Sequence, residues 1–239
     1  MRAGRIIVED AVVIRMVRYG EDTGILSLLS AQSGLFSAGC KLRGGRRARA
    51  EGMPLLFASI RACVQEGAEG FRQLRSFATL PGSFFRGPAE HYLRLNWLAR
   101  MTLLMVRESP QESRFHALWL KALQFPQSMP PLCMLADVHF AHGTWPALEV
   151  CERCFEAMEG VHLGRAQFVC RRCAGPGERA ASAAQARWLQ ERYQRRGELE
   201  LPAAEVKLLA DDLLRRLPAP VLEDSLFRKL WQHVLHDKK

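Results

Sequence analysis

CERCFEAMEGVHLGRAQFVCRRC, residues 151–173, contains two Cys-x-x-Cys pairs separated by 15 residues. Two residues between cysteines let both thiolates of a pair bind one metal ion, and the longer insert brings the second pair around to complete a tetrahedron. The spacing therefore predicts a metal site with four ligands: Cys151, Cys154, Cys170 and Cys173. We expect zinc, because four thiolates favour it over harder cations, and the alternatives are an iron–sulfur cluster or a redox dithiol.

The predicted zinc site is structural, because four protein ligands leave no position for a substrate. Three arginines lie within the pairs and can offset the negative charge of the thiolates: Arg153, Arg171 and Arg172. Three histidines near the pairs are possible further ligands, and we expect them to be packed or half-exposed structural residues instead: His139, His142 and His162.

Short strands are predicted for the first 80 residues, in five runs rich in apolar and β-branched residues. The runs are Ala11–Arg18, Ile25–Ser30, Leu35–Cys40, Pro54–Val64 and Phe71–Leu80. Five short strands at about ten-residue spacing predict a small closed barrel. The five-stranded OB-fold is the nucleic-acid-binding barrel of this size, so we expect an OB-fold over residues 1–80.

Helices are predicted for the remainder, where apolar residues recur at three- and four-residue steps. The predicted helices are a run opened by Pro88, a second begun by the capping box Ser109–Glu112, and then Pro131–His142, Ala181–Arg196, Pro202–Leu217 and Val221–His236. The predicted fold class is therefore α+β. An N-terminal OB-fold β-barrel is followed by an α-helical domain over residues 81–239, which contains the zinc knuckles at 145–176.

Positive charge is concentrated near the N-terminus. Residues 1–80 carry 12 basic and 7 acidic side chains, against 22 and 18 in the rest of a chain whose formal charge is +9. Five of these cations lie in a glycine-containing loop after the third strand: Lys41, Arg43, Arg46, Arg47 and Arg49. We predict that this loop, extended by Arg15 and Arg18, contacts DNA phosphates, and a solvated surface loop is the alternative.

Several classes of protein lack their usual signals in this sequence. No apolar run approaches the roughly 18 residues of a membrane span, and charged residues stand where a signal peptide has its apolar core. No Walker loop, dinucleotide fingerprint, His-Glu-x-x-His or Gly-x-Ser-x-Gly motif is present. We therefore expect a cytoplasmic protein that is not an enzyme, and we name no catalytic residue.

Several short motifs together resemble the bacterial RecO family of recombination mediators in DNA repair. They are Asp10–Arg15, Tyr19–Asp22, Leu26–Leu29, Gly34, the basic stretch from Lys41, and Phe168–Cys173 after a helical segment. The order of parts is similar over nearly the whole chain. One departure is Gly39-Cys40-Lys41, where the family pattern has Ala-Lys-Gly before the basic loop.

The resemblance implies a nucleoid-associated protein that binds single- and double-stranded DNA and anneals complementary strands. It also implies action with a RecR partner to load recombinase onto DNA coated by single-strand-binding protein, whose acidic C-terminal tail would bind the helical domain. Some family members lack the cysteines, so zinc is not essential to the shared activity. Two alternatives remain open: a zinc-ribbon regulator that binds a specific DNA or RNA site, and a nuclease or hydrolase with dispersed residues.

Overall fold

The structure is a computed structural model of an α+β protein, with a five-stranded sheet at the N-terminus, helices after it and a cluster of four cysteines. It describes residues 5–19, 23–41, 54–67, 70–85, 87–106, 113–124, 130–146, 148–158, 160–163, 167–193 and 201–236. The chain divides into two compact units, residues 1–129 with 229–237, and residues 130–228 with 238–239.

The N-terminal strands of the first unit close into a barrel. They are β1 (Ile6–Tyr19), β2 (Thr23–Ser30), β3 (Gly34–Lys41), β4 (Ala58–Glu66) and β5 (Arg72–Phe84). Their order around the barrel is β1-β2-β3-β5-β4, with β4 pairing back to β1. Every pair is antiparallel except β3 with β5, which meet in parallel at Gly39 and Gln73. The closure leaves neither β3 nor β4 as a free edge over its whole length.

Alternating apolar side chains fill the barrel. Its core consists of Ala11, Val13, Leu26, Leu28, Phe36, Ala38, Cys40, Ala58, Ile60, Ala62 and Val64. A bulge between Val13 and Arg15 shifts the alternation of β1, so that Met16 also points at this core and Arg15 is exposed. The bulge lets one 14-residue strand pair with both β2 and β4.

Two helices of the first unit follow the barrel, α1 (Ala89–Met105) and α2 (Ser113–Gln124). Trp119 of α2 stacks on Phe57 at a ring-centroid distance of 5.6 Å and donates a 2.9 Å hydrogen bond to the Thr102 hydroxyl of α1. Trp97 of α1 packs against Trp231, with centroids 5.0 Å apart. Large aromatic rings therefore bury the helices of this unit around fixed polar partners.

The second unit combines helices with a small sheet. Its elements are α3 (Pro131–His142), β6 (His162–Leu163), β7 (Phe168–Val169), β8 (Arg179–Ala180), α4 (Ala183–Tyr193), α5 (Ala203–Leu214), α6 (Ala219–Glu223) and the first residues of α7 (Ser225–His236). The three short strands form an antiparallel sheet in the order β7-β6-β8. Helix α3 ends at Gly143, whose φ of 78° is the left-handed conformation that glycine adopts without strain.

Two sequence-based expectations differ from the structure in detail. The predicted boundary of the barrel at residue 80 falls inside β5, which continues to Phe84. The predicted last helix is two helices, α6 and α7, which are separated at Asp224. The predicted capping box Ser109–Glu112 lies outside the described residues. Within the described ranges, no helix combines the length and the hydropathy required to cross a bilayer.

Candidate metal centre and exposed face of the barrel

The two Cys-x-x-Cys pairs bring their four sulfur atoms together. The ligand atoms of Cys151, Cys154, Cys170 and Cys173 all lie within 4.8 Å of one another, and no other group of this kind occurs in the part of the chain that the structure describes. Cys151 and Cys170 are buried, whereas Cys154 and Cys173 are half-buried. The prediction that these four cysteines form one cluster is confirmed.

The cluster has the dimensions of a tetrahedral site. A metal with sulfur ligands at about 2.3 Å spaces those ligands about 3.8 Å apart, and the Sγ atoms of Cys154 and Cys170 are 3.9 Å apart. All seven cysteines are free thiols in the structure. The donor set of four converging sulfurs therefore fits a metal ion such as zinc.

Backbone amides stabilise the charged form of the most buried thiol. The Sγ of Cys151 accepts hydrogen bonds from the backbone N–H of Cys170 at 3.3 Å and of Arg153 at 3.5 Å. Burial opposes ionisation of Cys151, but hydrogen bonds from the backbone of Cys154, Cys170 and Arg153 outweigh it and lower its pKa to about 6. Neighbouring thiols, Cys154 first, raise the pKa of Cys173 to about 12. One thiol of the cluster is thus prepared for metal binding before the others.

The first knuckle is anchored to the end of α5 by a two-pronged ion pair. Arg216 donates to both carboxylate oxygens of Glu152 at 2.8 and 2.9 Å, and its guanidinium lies 4.7 Å from the centre of the Phe168 ring. Glu152 also accepts a hydrogen bond from the backbone N–H of Phe168. Only 8% of the Arg216 side chain is exposed, so this arginine holds the knuckle and is not free to bind DNA.

The arginines of the two pairs have different partners. Arg153 donates to the Cys173 carbonyl and pairs with Glu178 at 2.7 Å, and that pair, followed by the charges of Cys173 and Cys151, raises the pKa of Arg153. Arg172 pairs with Glu156. Arg171 is exposed and makes no ion pair with any described residue. Two of the three arginines thus link the knuckles to each other, and Arg171 projects freely.

Histidine does not contribute a ligand to this cluster among the described residues. His139 is fully buried, and its ring nitrogens are bonded to the Thr144 hydroxyl at 2.8 Å and to the Leu213 carbonyl at 3.0 Å. Burial lowers the pKa of His139 to about 4, so the ring is neutral at pH 7. Both nitrogens are occupied, and His139 therefore has a structural role, in agreement with the sequence-based expectation.

The outer face of β1, β2 and β3 carries two of the predicted DNA contacts. Arg15 pairs across β2 at Ser27, and Lys41 pairs with Thr23, which in turn pairs with Tyr19 of β1. Residues directly opposite in an antiparallel sheet point to the same side, so Arg15 and Lys41 share one face. Both are exposed and neither makes an ion pair with a residue of the described ranges.

Arg18 stands apart from that face. It pairs with Gly24, which pairs with the core residue Cys40, so Arg18 belongs to the opposite side of the pleat at the end of the barrel. Its side chain is exposed there. The other four predicted phosphate contacts, Arg43, Arg46, Arg47 and Arg49, lie outside the described residues.

Exposed rings and aliphatic side chains lie between Arg15 and Lys41. Tyr19 and Phe71 are 70% and 63% exposed, and Val17 and Ile25 face each other across β1 and β2. A Cβ atom on Gly39 would approach the Phe71 ring to 3.0 Å, which places that ring directly over the β3 backbone. We call the set Arg15, Val17, Tyr19, Ile25, Lys41 and Phe71 the barrel face.

Sequence reasoning missed the apolar half of the barrel face. Tyr19 follows a strand and Phe71 precedes one, which are positions where single exposed aromatics have no periodic signal. Their position beside one face depends on the pairing of β3 with β5, which joins segments more than 30 residues apart. An aromatic next to a turn on a chain with net positive charge was the one local signal.

Comparison with known proteins gives no independent assignment. No family model matches the chain. A search of curated proteins also finds no match. The function is therefore argued from the two sites described above.

Proposed function

We propose that the protein is a DNA-binding recombination mediator of the RecO type, whose barrel is an OB-fold and whose four-cysteine cluster holds structural zinc. The observation that carries the proposal is the barrel face, where exposed aromatic rings lie between unpaired cations on the outside of a closed five-stranded barrel. The resemblance of the sequence to the RecO family supports the same function.

The barrel face suits single-stranded nucleic acid for two physical reasons. Bases of any sequence stack on the exposed rings of Tyr19 and Phe71, and each stacked base contributes about 1–3 kcal/mol. Cations at Arg15 and Lys41 attract the phosphates and release condensed counterions. Neither contact distinguishes one base from another, so binding has weak sequence preference.

Strand annealing follows from the same contacts without any bond chemistry. Neutralising two phosphate backbones reduces the repulsion between complementary strands and keeps them together while base pairs form. Rings that hold bases by stacking leave their pairing edges free for the second strand. The side chains at this face are apolar, aromatic or cationic, so we assign no catalytic residue.

Zinc would stabilise the second unit by holding Cys151, Cys154, Cys170 and Cys173 in one closed centre. In the proposed role this unit provides the binding surface for the acidic C-terminal tail of single-strand-binding protein and for a RecR partner. Recombinase would then be loaded onto DNA freed of single-strand-binding protein, and the protein would be associated with the nucleoid.

The DNA-binding part of the proposal is tested by salt dependence. Affinity for a fluorescein-labelled single strand is measured by anisotropy over a range of salt concentrations, for the wild type and for the double variant Arg15→Ala/Lys41→Ala. Removing two phosphate contacts lowers the slope of log K against log salt by about 1.4. The double variant Lys207→Ala/Arg228→Ala removes the same charge from exposed positions outside the barrel face and keeps the slope.

The stacking contact and the annealing activity need separate measurements. Phe71→Ala weakens binding about tenfold without changing the salt slope, whereas Leu226→Ala, which shortens another exposed apolar side chain, has no effect. The wild type accelerates annealing of complementary oligonucleotides of arbitrary sequence. A protein that binds one specific sequence and anneals nothing is a zinc-ribbon regulator, and metal-dependent cleavage of the strand indicates a nuclease; either result overturns the proposal.

A further inference from the structure

Two non-glycine residues have a left-handed backbone among the described parts of the chain, Phe57 with φ of 59° and Phe155 with φ of 60°. Side chains with a Cβ atom rarely adopt this conformation, because Cβ crowds the following carbonyl group. Such strain persists where the surrounding structure compensates for it or where function requires it. The two phenylalanines differ in whether compensation is present.

Packing explains the strain at Phe57. Its side chain is 1% exposed, its ring lies 5.6 Å from that of Trp119 and 5.3 Å from that of Tyr92, and its backbone N–H donates to the Val13 carbonyl at 2.9 Å. Burial of a large ring against two others exceeds the cost of the backbone conformation. Phe57 is thus a core residue.

Phe155 has no such compensation. It follows Cys154 at the tip of the first knuckle, its side chain is 78% exposed, and it makes no ring contact with any described residue. The turn itself requires the left-handed conformation, since the Phe155 N–H donates to the Cys151 carbonyl at 2.9 Å and the Cys151 N–H to the Glu156 carbonyl at 2.8 Å. Glycine would satisfy this turn without strain, so the phenyl ring is not there for the fold.

Positive charge surrounds the exposed ring. Glu156 next to Phe155 pairs with the exposed Arg172 of the second knuckle, and Arg171 beside it is exposed without an ion pair to described residues. An exposed surface ion pair is weak, so Arg172 is available to a stronger anionic partner. A ring with arginines beside it is the combination that holds a base and its phosphate, and it favours a nucleic acid over an acidic or apolar protein segment.

We propose that the tip of the zinc knuckle is a second nucleic-acid contact, at which the Phe155 ring stacks on a base and Arg171 binds a phosphate. The inference rests on the proposed function in that the ligand is the same DNA, but it concerns a different site in the second unit. It assigns the metal site an indirect role, since the centre fixes the turn that presents Phe155.

Replacing Phe155 with glycine separates binding from stability. Phe155→Gly removes the ring and relieves the backbone, so we expect about tenfold weaker binding to a single strand with an unchanged or higher urea midpoint. The salt slope stays the same, because stacking releases no counterions. Arg171→Ala lowers the slope by about 0.7 instead. A ring with a merely structural role would lower the urea midpoint, and that result overturns the inference.

A tryptophan at the same position gives a direct signal of stacking. Phe155→Trp adds an exposed indole to a chain in which Trp97, Trp119, Trp188 and Trp231 are buried. We expect its fluorescence to be quenched when the labelled strand is added, and the quenching to survive in a background of Arg15→Ala/Lys41→Ala at low salt.

The two proposals fail in distinguishable ways. Wild-type binding that depends on Arg15 and Lys41, together with full affinity in Phe155→Gly and no quenching in Phe155→Trp, overturns the knuckle contact and leaves the proposed function standing. A Phe155 that serves a protein partner would give that result. A wild type that ignores DNA at low salt overturns both.

Discussion

The strongest single contact of the second unit joins two residues 64 positions apart, Glu152 in the first knuckle and Arg216 after α5. Replacing Arg216 with alanine leaves a mostly buried carboxylate without its cation and removes the guanidinium from the Phe168 ring. Breaking such a pair costs several kcal/mol when fully buried, and partial exposure of Glu152 reduces this to about 2–3 kcal/mol. Urea denaturation followed by circular dichroism measures the loss.

The matched control is an exposed ion pair within one helix. Arg187 and Glu191 of α4 are 3.0 Å apart, but 72% of the arginine side chain is exposed. Arg187→Ala therefore lowers the free energy of unfolding by at most about 0.5 kcal/mol. Equal losses in the two variants would mean that the buried position of Arg216 adds nothing.

His139 makes the stability of the second unit depend on pH. Its pKa is near 6.5 in an unfolded chain and about 4 in the fold, because burial disfavours the charged ring. A proton therefore binds the unfolded state more strongly, and the stability that is complete above pH about 6.5 declines as pH falls to about 4. The difference corresponds to about 3 kcal/mol.

Comparison with His139→Gln isolates this effect. Glutamine preserves a donor to the Leu213 carbonyl but does not titrate, and both proteins share every carboxylate and every cysteine. The free energy of unfolding of the wild type should fall more steeply than that of the variant between pH 6.5 and 4. Parallel curves would show that His139 keeps an ordinary pKa in the fold.

At the scale of elements, local patterns predicted what local chemistry determines. The alternation in Ala11–Arg18 identified β1, and the Cys-x-x-Cys spacing identified the cluster, since both depend on neighbours in sequence. The ends of β1 escaped prediction because the bulge after Val13 interrupts the alternation. The small sheet β7-β6-β8 escaped it because its strands have two residues each and depend on the knuckles beside them.

The division between α6 and α7 has a local cause that periodicity conceals. Asp224 adopts an extended conformation, and its side chain accepts a 2.6 Å hydrogen bond from the Phe227 N–H, as an N-cap does. Asp224→Ala should lower the free energy of unfolding by about 1 kcal/mol, whereas Asp224→Asn, which retains an accepting oxygen, should cost only a few tenths. Thermal denaturation of both variants provides the measurement. An alanine variant as stable as the asparagine variant would contradict the cap.

At the scale of the molecule, the two candidate sites belong to different compact units with different sources of stability. The first unit buries an apolar barrel core that contains none of the cluster cysteines. Around the knuckles, the buried cluster is small and consists of Cys151, Val169 and Cys170 with a few half-buried neighbours. Such a core is too small to hold the knuckles by itself, so the second unit depends on its metal.

Removal of the metal should therefore affect the two units unequally. We expect the purified protein to contain one zinc ion per chain, and a strong chelator to lower the melting temperature of the second unit while the transition of the barrel stays in place. The loss of folding energy arises because four uncoordinated thiols cannot replace metal–sulfur bonds. Scanning calorimetry with and without chelator, together with metal analysis, follows both changes.

Two cysteine variants make this measurement specific. Cys170→Ser removes a buried ligand of the cluster and should abolish zinc binding, so that a chelator has no further effect on its melting curve. Cys133→Ala changes a half-buried thiol outside the cluster and should retain one zinc ion and the full response to chelator. If Cys170→Ser retained zinc, or if the barrel transition moved with the metal, the centre would not be the separate support of the second unit that its geometry indicates.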